Sequence, residues 1–110
     1  MPRAQMFDLE RSHGATVVHV RGDVDVLTSE TFRAAILGAE ARPGRVVVSL
    51  LECPYLDSTG LTVLIAAQRR LGDRFSVVLS HEGNVRKIIE IASLAQFLRI
   101  VPTLEMAEAG

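Results

Sequence analysis

The sequence predicts an α/β fold in which helices pack against a mixed β-sheet. Three observations support this prediction. Short apolar runs rich in β-branched residues alternate with segments of helical periodicity along the chain. One run, from Arg45 to Leu51, has almost no polar alternation, which is typical of a strand covered on both faces. With 110 residues and no internal repeat or linker, the chain is expected to form one domain, residues 1–110.

The chain opens with a predicted β-hairpin. The strands Met6–Arg11 and Ala15–Arg21 flank the segment SHGA, in which Gly14 supplies the turn. Such a short connection makes the two strands antiparallel neighbours.

The run from Val26 to Glu40 predicts the first helix. Thr28 or Ser29 is the expected N-cap, because a hydroxyl can accept from an unpaired amide of the first turn. The segment RPG ends the helix, since proline lacks an amide donor and glycine tolerates a left-handed turn. Apolar residues recur at helical spacing at Phe32, Ile36 and Leu37.

The second half repeats this alternation. A helix is expected from Ser58 to Leu71 with Gly72 at its end, followed by the buried strand FSVVLS. The segment GNVRKIIEIASLAQF predicts a third helix capped by Asn84. A short strand in FLRIV and a helix from Thr103 to Ala109 follow, and the crossovers imply a mixed sheet. The residues of the third helix expected to face inward are Val85, Ile88, Ile89 and Ala92.

Composition excludes several function classes. Twelve basic and 13 acidic residues give a net charge of −1, so the chain lacks the concentrated positive field that nucleic acid or an anionic membrane attracts. No apolar run approaches the roughly 18 residues of a membrane span, and no signal peptide is apparent. Cys53 is the single cysteine and is expected to be a small buried hydrophobe. These features predict a cytoplasmic protein.

No cofactor or metal motif is present in the sequence. Neither a Walker-type phosphate loop nor a G-x-G-x-x-G segment occurs. The three histidines, His13, His19 and His81, fall on separate elements and lack the paired spacing of a metal site. We therefore expect neither a cofactor nor a metal.

The segment DSTG, Asp57 to Gly60, permits three interpretations. In the first, Asp57 or Ser58 caps the following helix, which contributes about 1 kcal/mol. In the second, Ser58 is a nucleophile, although the nucleophile elbow requires glycine where Leu56 stands and only His81 offers a base. In the third, Ser58 is phosphorylated, which adds nearly two negative charges and switches off an interface that buries it.

The segments around DSTG resemble the STAS domain of bacterial anti-sigma factor antagonists. The resemblance covers about Met6 to Glu105 and includes LDSTGLTVLIAAQRR, the preceding strand VVVSLL, the segment VVHVRGDVDVLTSETFRAAI and the later segment NVRKIIEIASL. It implies a single-domain STAS fold. It also implies that the chain is not an enzyme but a kinase substrate, with ATP held by the partner.

In this family, a partner that is both an anti-sigma factor and a Ser/Thr kinase phosphorylates the hydroxyl after the motif's aspartate. The matching residue here is Ser58, and Thr59 matches a secondary site. The unphosphorylated antagonist binds the partner and frees a sigma factor, the phosphorylated form dissociates, and a PP2C-type phosphatase resets the cycle. The resemblance also assigns partner binding to two segments, Gly22, Asp23 and Asp25 in the first and Asp57, Ser58, Thr59 and Gly60 in the second. The chain is expected to be a monomer or weak dimer.

Two departures from the family pattern bear on these expectations. Cys53, Pro54 and Tyr55 precede the motif and can alter the approach to it. Ser93 stands where the family often has glycine, and because a left-handed conformation disfavours serine, the third helix is expected to run longer. Two other functions stay open: a STAS accessory or ligand-sensing domain of a transport or scaffold complex, and, more remotely, a small serine hydrolase. Asp23 and Asp25 can also be simple turn acids.

Overall fold

The computed structural model describes residues 6–109, which form a single sheet with helices on both faces. The first half of the chain gives two strands, a helix and a third strand, and the second half alternates helices with strands. The elements are β1 (Phe7–Ser12), β2 (Ala15–Val20), α1 (Ser29–Glu40), β3 (Arg45–Ser49), α2 (Ser58–Leu71), β4 (Phe75–Val78), α3 (Asn84–Ile91), β5 (Ile100–Val101) and α4 (Leu104–Ala109).

The strands lie in chain order, β1-β2-β3-β4-β5. β1 and β2 are antiparallel, and the other neighbours are parallel, so the predicted mixed sheet is confirmed. The hairpin between β1 and β2 turns at His13 and Gly14, both left-handed with φ of 51° and 80°. Two consecutive residues with positive φ give the tight hairpin turn that matches the twist of the strands.

β3 is buried on both faces, as the sequence predicts. Val46 and Val48 point into the larger core, where α1, α2 and α3 pack, and Val47 points into the smaller one under α4. The core of the larger layer includes Phe32 and Ile36 from α1. The predicted apolar position Leu37 is instead exposed, because it lies on the outer side of α1.

Helix α2 has the bounds that the sequence predicts. It begins at Ser58 and ends at Leu71, and Gly72 follows with a φ of 55° that favours glycine. Thr28 is the N-cap residue of α1, but its hydroxyl makes no bond to the first turn of that helix. It accepts instead from the amide of Asp25 at 3.0 Å.

Helix α3 differs from its prediction at both ends. Gly83, not Asn84, is the N-cap residue, and the Asn84 amide group donates to the carbonyl of Pro54 at 3.2 Å. The helix ends at Ile91, so the expectation of a longer helix is wrong, as is the inward placement of Ala92, which is exposed. Ser93 adopts the left-handed conformation, with φ of 58°, despite its side chain.

Within residues 6–109, no helix combines the length and the apolar character that crossing a membrane requires. The longest helix is α2, with 14 residues. Every helix of the described part packs against the sheet through one apolar side.

Candidate functional site

An isolated parallel bridge joins the two segments that carry the predicted site residues. Val24 pairs with Leu56: its amide donates to the carbonyl of Tyr55 at 2.9 Å, and its carbonyl accepts from the amide of Asp57 at 3.0 Å. The first segment follows the carboxyl end of β2 and the second follows that of β3. The bridge therefore brings both segments to the same edge of the sheet, the usual position of sites in α/β folds.

Asp57 is the N-cap of α2. One of its carboxylate oxygens, Oδ1, accepts from the amide of Thr59 at 2.9 Å and from the amide of Gly60 at 3.3 Å. The hydroxyl of Thr59 donates to the same oxygen. This hydroxyl is the main cause of a pKa of Asp57 below the usual aspartate value, and the two amides lower the pKa further. The capping interpretation is therefore confirmed, with Asp57 as the cap.

The hydroxyl of Ser58 is left free by this arrangement. Ser58 is the first residue of α2 and is exposed, and its hydroxyl has no hydrogen-bond partner among residues 6–109. It lies at one end of an open, mostly apolar groove of about 400 Å³ between α2 and the residues after α3. The other groove residues are Leu61, Thr62, Ile65, Ala66, Arg69, Ala92 and Leu94.

Thr59 and Gly60 have roles within the fold. Thr59 is half-buried and its hydroxyl is occupied by Asp57. Gly60 is buried under the bridge, and a Cβ on it would lie 2.9 Å from side-chain atoms of both Leu56 and Val24. Since real Cβ atoms do not come so close, Gly60 permits α2 to pack against the bridge.

The first segment is held by Asp25. Its Oδ1 accepts from the amides of Leu27, at 2.9 Å, and Thr28, at 3.2 Å, and its carbonyl accepts from the amide of Ser29 at 2.9 Å. Asp25 is thus a turn acid that starts α1. Asp23 is exposed and Gly22 is half-buried.

The structure adds two residues that the sequence analysis did not assign to the site. Val26 and Leu27 follow Asp25 and are 70% and 86% exposed. The predicted N-cap at Thr28 or Ser29 places both residues before the first helix, and α1 does begin at Ser29. The available signal was their position before the expected N-cap, which excludes them from the buried face of the helix.

Cys53 and Pro54, which precede the motif, are both held by hydrogen bonds. Cys53 is buried, its thiol donates to the carbonyl of Tyr55 at 3.2 Å, and burial raises its pKa. The carbonyl of Pro54 accepts from Asn84, which ties this loop to α3. The prediction of Cys53 as a small buried hydrophobe is confirmed.

Among residues 6–109, His81 does not lie where it could act as a base for Ser58. His81 is exposed and lines a different surface depression, together with Glu82 and Arg86. In the part of the chain that the structure describes, no histidine lines the groove at Ser58. A serine hydroxyl needs a base within hydrogen-bond reach to become a nucleophile.

Comparison with known proteins gives one family. The model of the STAS domain matches residues 6–107. The chain is 28% identical over 100 residues to the anti-sigma-F factor antagonist RsfB of Mycobacterium tuberculosis, which covers 89% of this chain and 82% of RsfB. It is similar to the crystal structure of an anti-sigma factor antagonist from Mycobacterium paratuberculosis, with a TM-score of 0.81, 29% identity and coverage of 94% and 90%. SpoIIAA of Bacillus in its phosphorylated form shares the fold, with a TM-score of 0.62, 21% identity and coverage of 92% and 95%.

Proposed function

Because the chain belongs to the STAS domain family, we propose that it is an anti-sigma factor antagonist whose binding is switched by phosphorylation of Ser58. The unphosphorylated chain binds an anti-sigma factor that is also a Ser/Thr kinase, and a sigma factor is released. The two mycobacterial relatives, both named as anti-sigma factor antagonists, support this proposal.

The observation that carries the proposal is the free, exposed hydroxyl of Ser58. A kinase can reach this oxygen without unfolding the chain. Asp57 already caps α2, so modification of Ser58 removes no capping bond. Thr59 is a poorer substrate because its hydroxyl is half-buried and donates to Asp57, and it stays the secondary candidate.

A phosphate on Ser58 changes the surface more than the fold. The positive end of the α2 helix dipole favours a negative charge by about 0.3–1 kcal/mol. Two unit charges about 5 Å apart near a surface, such as the phosphate and Asp57, repel by roughly 3 kcal/mol before salt screening. Once salt screens the repulsion, the net local effect is near neutral or mildly unfavourable, and we expect the chain to stay folded.

An interface that covers Ser58 responds differently. Burial of an unpaired dianion costs several kcal/mol, and about 2.8 kcal/mol is enough for a hundredfold loss of affinity. We propose that the partner covers Gly22, Asp23, Asp25 and the segment Asp57–Gly60. The phosphorylated chain then dissociates, and a PP2C-type phosphatase restores the binding form.

The chemistry of this cycle belongs to the partners. The Ser58 oxygen attacks the γ-phosphorus of ATP in the kinase, the bond to ADP breaks, and a base of the kinase takes the hydroxyl proton. The chain itself is a substrate and not an enzyme, and it acts in the cytoplasm as a monomer or weak dimer.

The test is capture followed by phosphorylation. Ser58→Ala, used as bait, is expected to retain a kinase-type anti-sigma factor, which mass spectrometry identifies. That kinase is then purified and incubated with ATP and the wild-type chain. Phosphate is expected on Ser58, none is expected on Ser58→Ala, and full incorporation is expected on the control Thr62→Ala, whose hydroxyl lies one turn further along α2. Failure of the wild-type chain to bind such a kinase, or phosphate confined to another residue, would contradict the proposal.

A further inference from the structure

The loop before α1 presents two adjacent large apolar side chains to solvent. Val26 is 70% exposed and Leu27 is 86% exposed. Single exposed apolar residues are ordinary on protein surfaces, whereas contiguous exposed apolar surface is a feature of interaction sites. Neither residue belongs to a core cluster of the described chain.

Hydrogen bonds hold the backbone of the loop that carries these side chains. The amide of Leu27 donates to Oδ1 of Asp25 at 2.9 Å, and the amide of Thr28 donates to the same oxygen at 3.2 Å. The hydroxyl of Thr28 in turn donates to the carbonyl of Asp23 at 3.1 Å. A backbone that is already ordered loses little conformational entropy on binding, so the loop is preorganised to present these two side chains.

The exposed pair lies beside the phosphorylation site. The bridge between Val24 and Leu56 connects the loop to the start of α2. The amide of Val26 is close enough to the carboxylate of Asp57 to help lower its pKa, and Ser58 is the next residue. A partner interface of standard size buries about 800 Å² on each side, which corresponds to a disc of about 16 Å radius. An interface of this size centred on Ser58 includes the loop.

We infer that Val26 and Leu27 form the apolar anchor by which this chain docks on its anti-sigma kinase, and that the kinase offers an apolar pocket to receive them. This inference rests on the proposed function and adds to it the residues that supply affinity. Asp25 is a positioning residue: its carboxylate accepts from the amides of Leu27 and Thr28 and so holds the loop that carries the anchor.

In this arrangement the anchor, Val26 and Leu27, and the switch, Ser58, have separate roles. The anchor side chains carry no titratable group and their loop is held by bonds that do not involve Ser58. Phosphorylation therefore leaves the apolar contacts of the anchor unchanged, but it adds a charge whose burial in the interface costs free energy. Binding of the phosphorylated chain is weakened although its apolar contacts are unchanged.

The test compares Val26→Ser, Leu27→Ser and the double variant with Met106→Ser as matched control. Met106 is 51% exposed on α4, which packs on the opposite face of the sheet. Calorimetric titration with the purified kinase, in the absence of ATP, gives the Kd of each variant. Leu27→Ser is expected to raise Kd about tenfold or more, and the double variant further, because each buried apolar side chain contributes this order of affinity. Met106→Ser is expected to stay within about twofold of the wild-type chain.

The outcomes distinguish the two proposals. If the wild-type chain binds no such kinase, the proposed function fails and the anchor fails with it. If the wild-type chain binds and the double variant binds equally well, the anchor alone is overturned. The anchor is also overturned if the double substitution leaves kinase affinity unchanged and only alters the oligomeric state of the unbound protein in sedimentation. Val26 and Leu27 would then join two copies of this chain. Unchanged thermal unfolding of all variants is expected, because the substituted side chains are exposed.

Discussion

Replacement of Asp57 by alanine is the most direct test of how the site is built. Three donors converge on Oδ1 of Asp57: the amides of Thr59, at 2.9 Å, and Gly60, at 3.3 Å, and the hydroxyl of Thr59. Loss of an N-cap to alanine costs about 0.5–2 kcal/mol. Because the Thr59 hydroxyl also loses its acceptor in a half-buried position, we expect a loss of about 1–2 kcal/mol in the free energy of unfolding. For a domain of this size, the expected decrease in Tm is about 5–10 °C.

The same substitution predicts a pH dependence with a definite sign. The pKa of Asp57 is lowered in the folded chain, so the folded state favours the ionised carboxylate. Its contribution is fully present above the unfolded pKa of about 3.9 and is lost as pH falls through the lower folded value. The difference in stability between the wild-type chain and Asp57→Ala should therefore be constant from about pH 7 to 5 and shrink below about pH 4.

Urea denaturation followed by circular dichroism at several pH values measures both effects. Asp57→Asn is the matched control, because asparagine is also a good N-cap but does not titrate. We expect it to lose less stability than Asp57→Ala at neutral pH. A difference between wild type and Asp57→Ala that is the same at pH 7 and below pH 4, or that is absent at neutral pH, would refute this account of the cap.

Three further predictions concern the same region and α3. Ser58→Ala should bind the kinase as tightly as the unphosphorylated chain, whereas Ser58→Glu should bind at least about tenfold more weakly in calorimetric titration; equal affinity would rule out a charge switch. Gly60→Ala should lower the free energy of unfolding by about 1–2 kcal/mol, because its Cβ would lie 2.9 Å from Leu56 and Val24. A Gly60→Ala variant more stable than the wild-type chain would show that the side chains of Leu56 and Val24 can move to accommodate the added methyl group. Ser93→Gly should raise the free energy of unfolding, measured by urea denaturation, by about 0.5–1 kcal/mol, because glycine adopts the left-handed conformation without the cost that a side chain carries. No gain in this free energy would mean that Ser93 is unstrained.

Local signals in the sequence determine α2 and do not determine α3. An acidic N-cap at Asp57 and a glycine at Gly72 mark the ends of α2, and the structure has the same bounds. At the end of α3, the amide of Ser93 donates to the carbonyl of Glu90 at 3.0 Å and that of Leu94 to the carbonyl of Ile89 at 3.1 Å. These bonds turn the chain so that Leu94 packs on the core. A tertiary contact thus imposes a left-handed serine that local propensity argues against.

Assembly of the site depends on contacts between distant residues. About 30 residues separate the aspartates of the first segment from the motif in the second, and nothing in the spacing of the residues specifies that Val24 pairs with Leu56. The resemblance to the STAS family joins the two segments, and the bridge gives the physical reason. The position of Val26 and Leu27 before the expected N-cap indicates that they lie outside the buried face of α1, but it does not specify how far they are exposed. The exposure of these two side chains results from the turn at Asp25, which places their backbone on the surface before α1 begins.

If Ser58 is phosphorylated as we propose, separation of the helix cap from the modified hydroxyl lets the phosphate act without removal of a capping bond. If Ser58 were the cap, a phosphate would replace a bond of the helix and the effect of phosphorylation would be spread through α2. Here the carboxylate of Asp57 and the hydroxyl of Thr59 hold the first turn, and Gly60 fixes its distance from the bridge. The charge of a phosphate on Ser58 would therefore act mainly at the surface, where a partner that covers it must remove water from it. A switch of this kind requires only that the partner bury Ser58, and its strength is set by the cost of that burial.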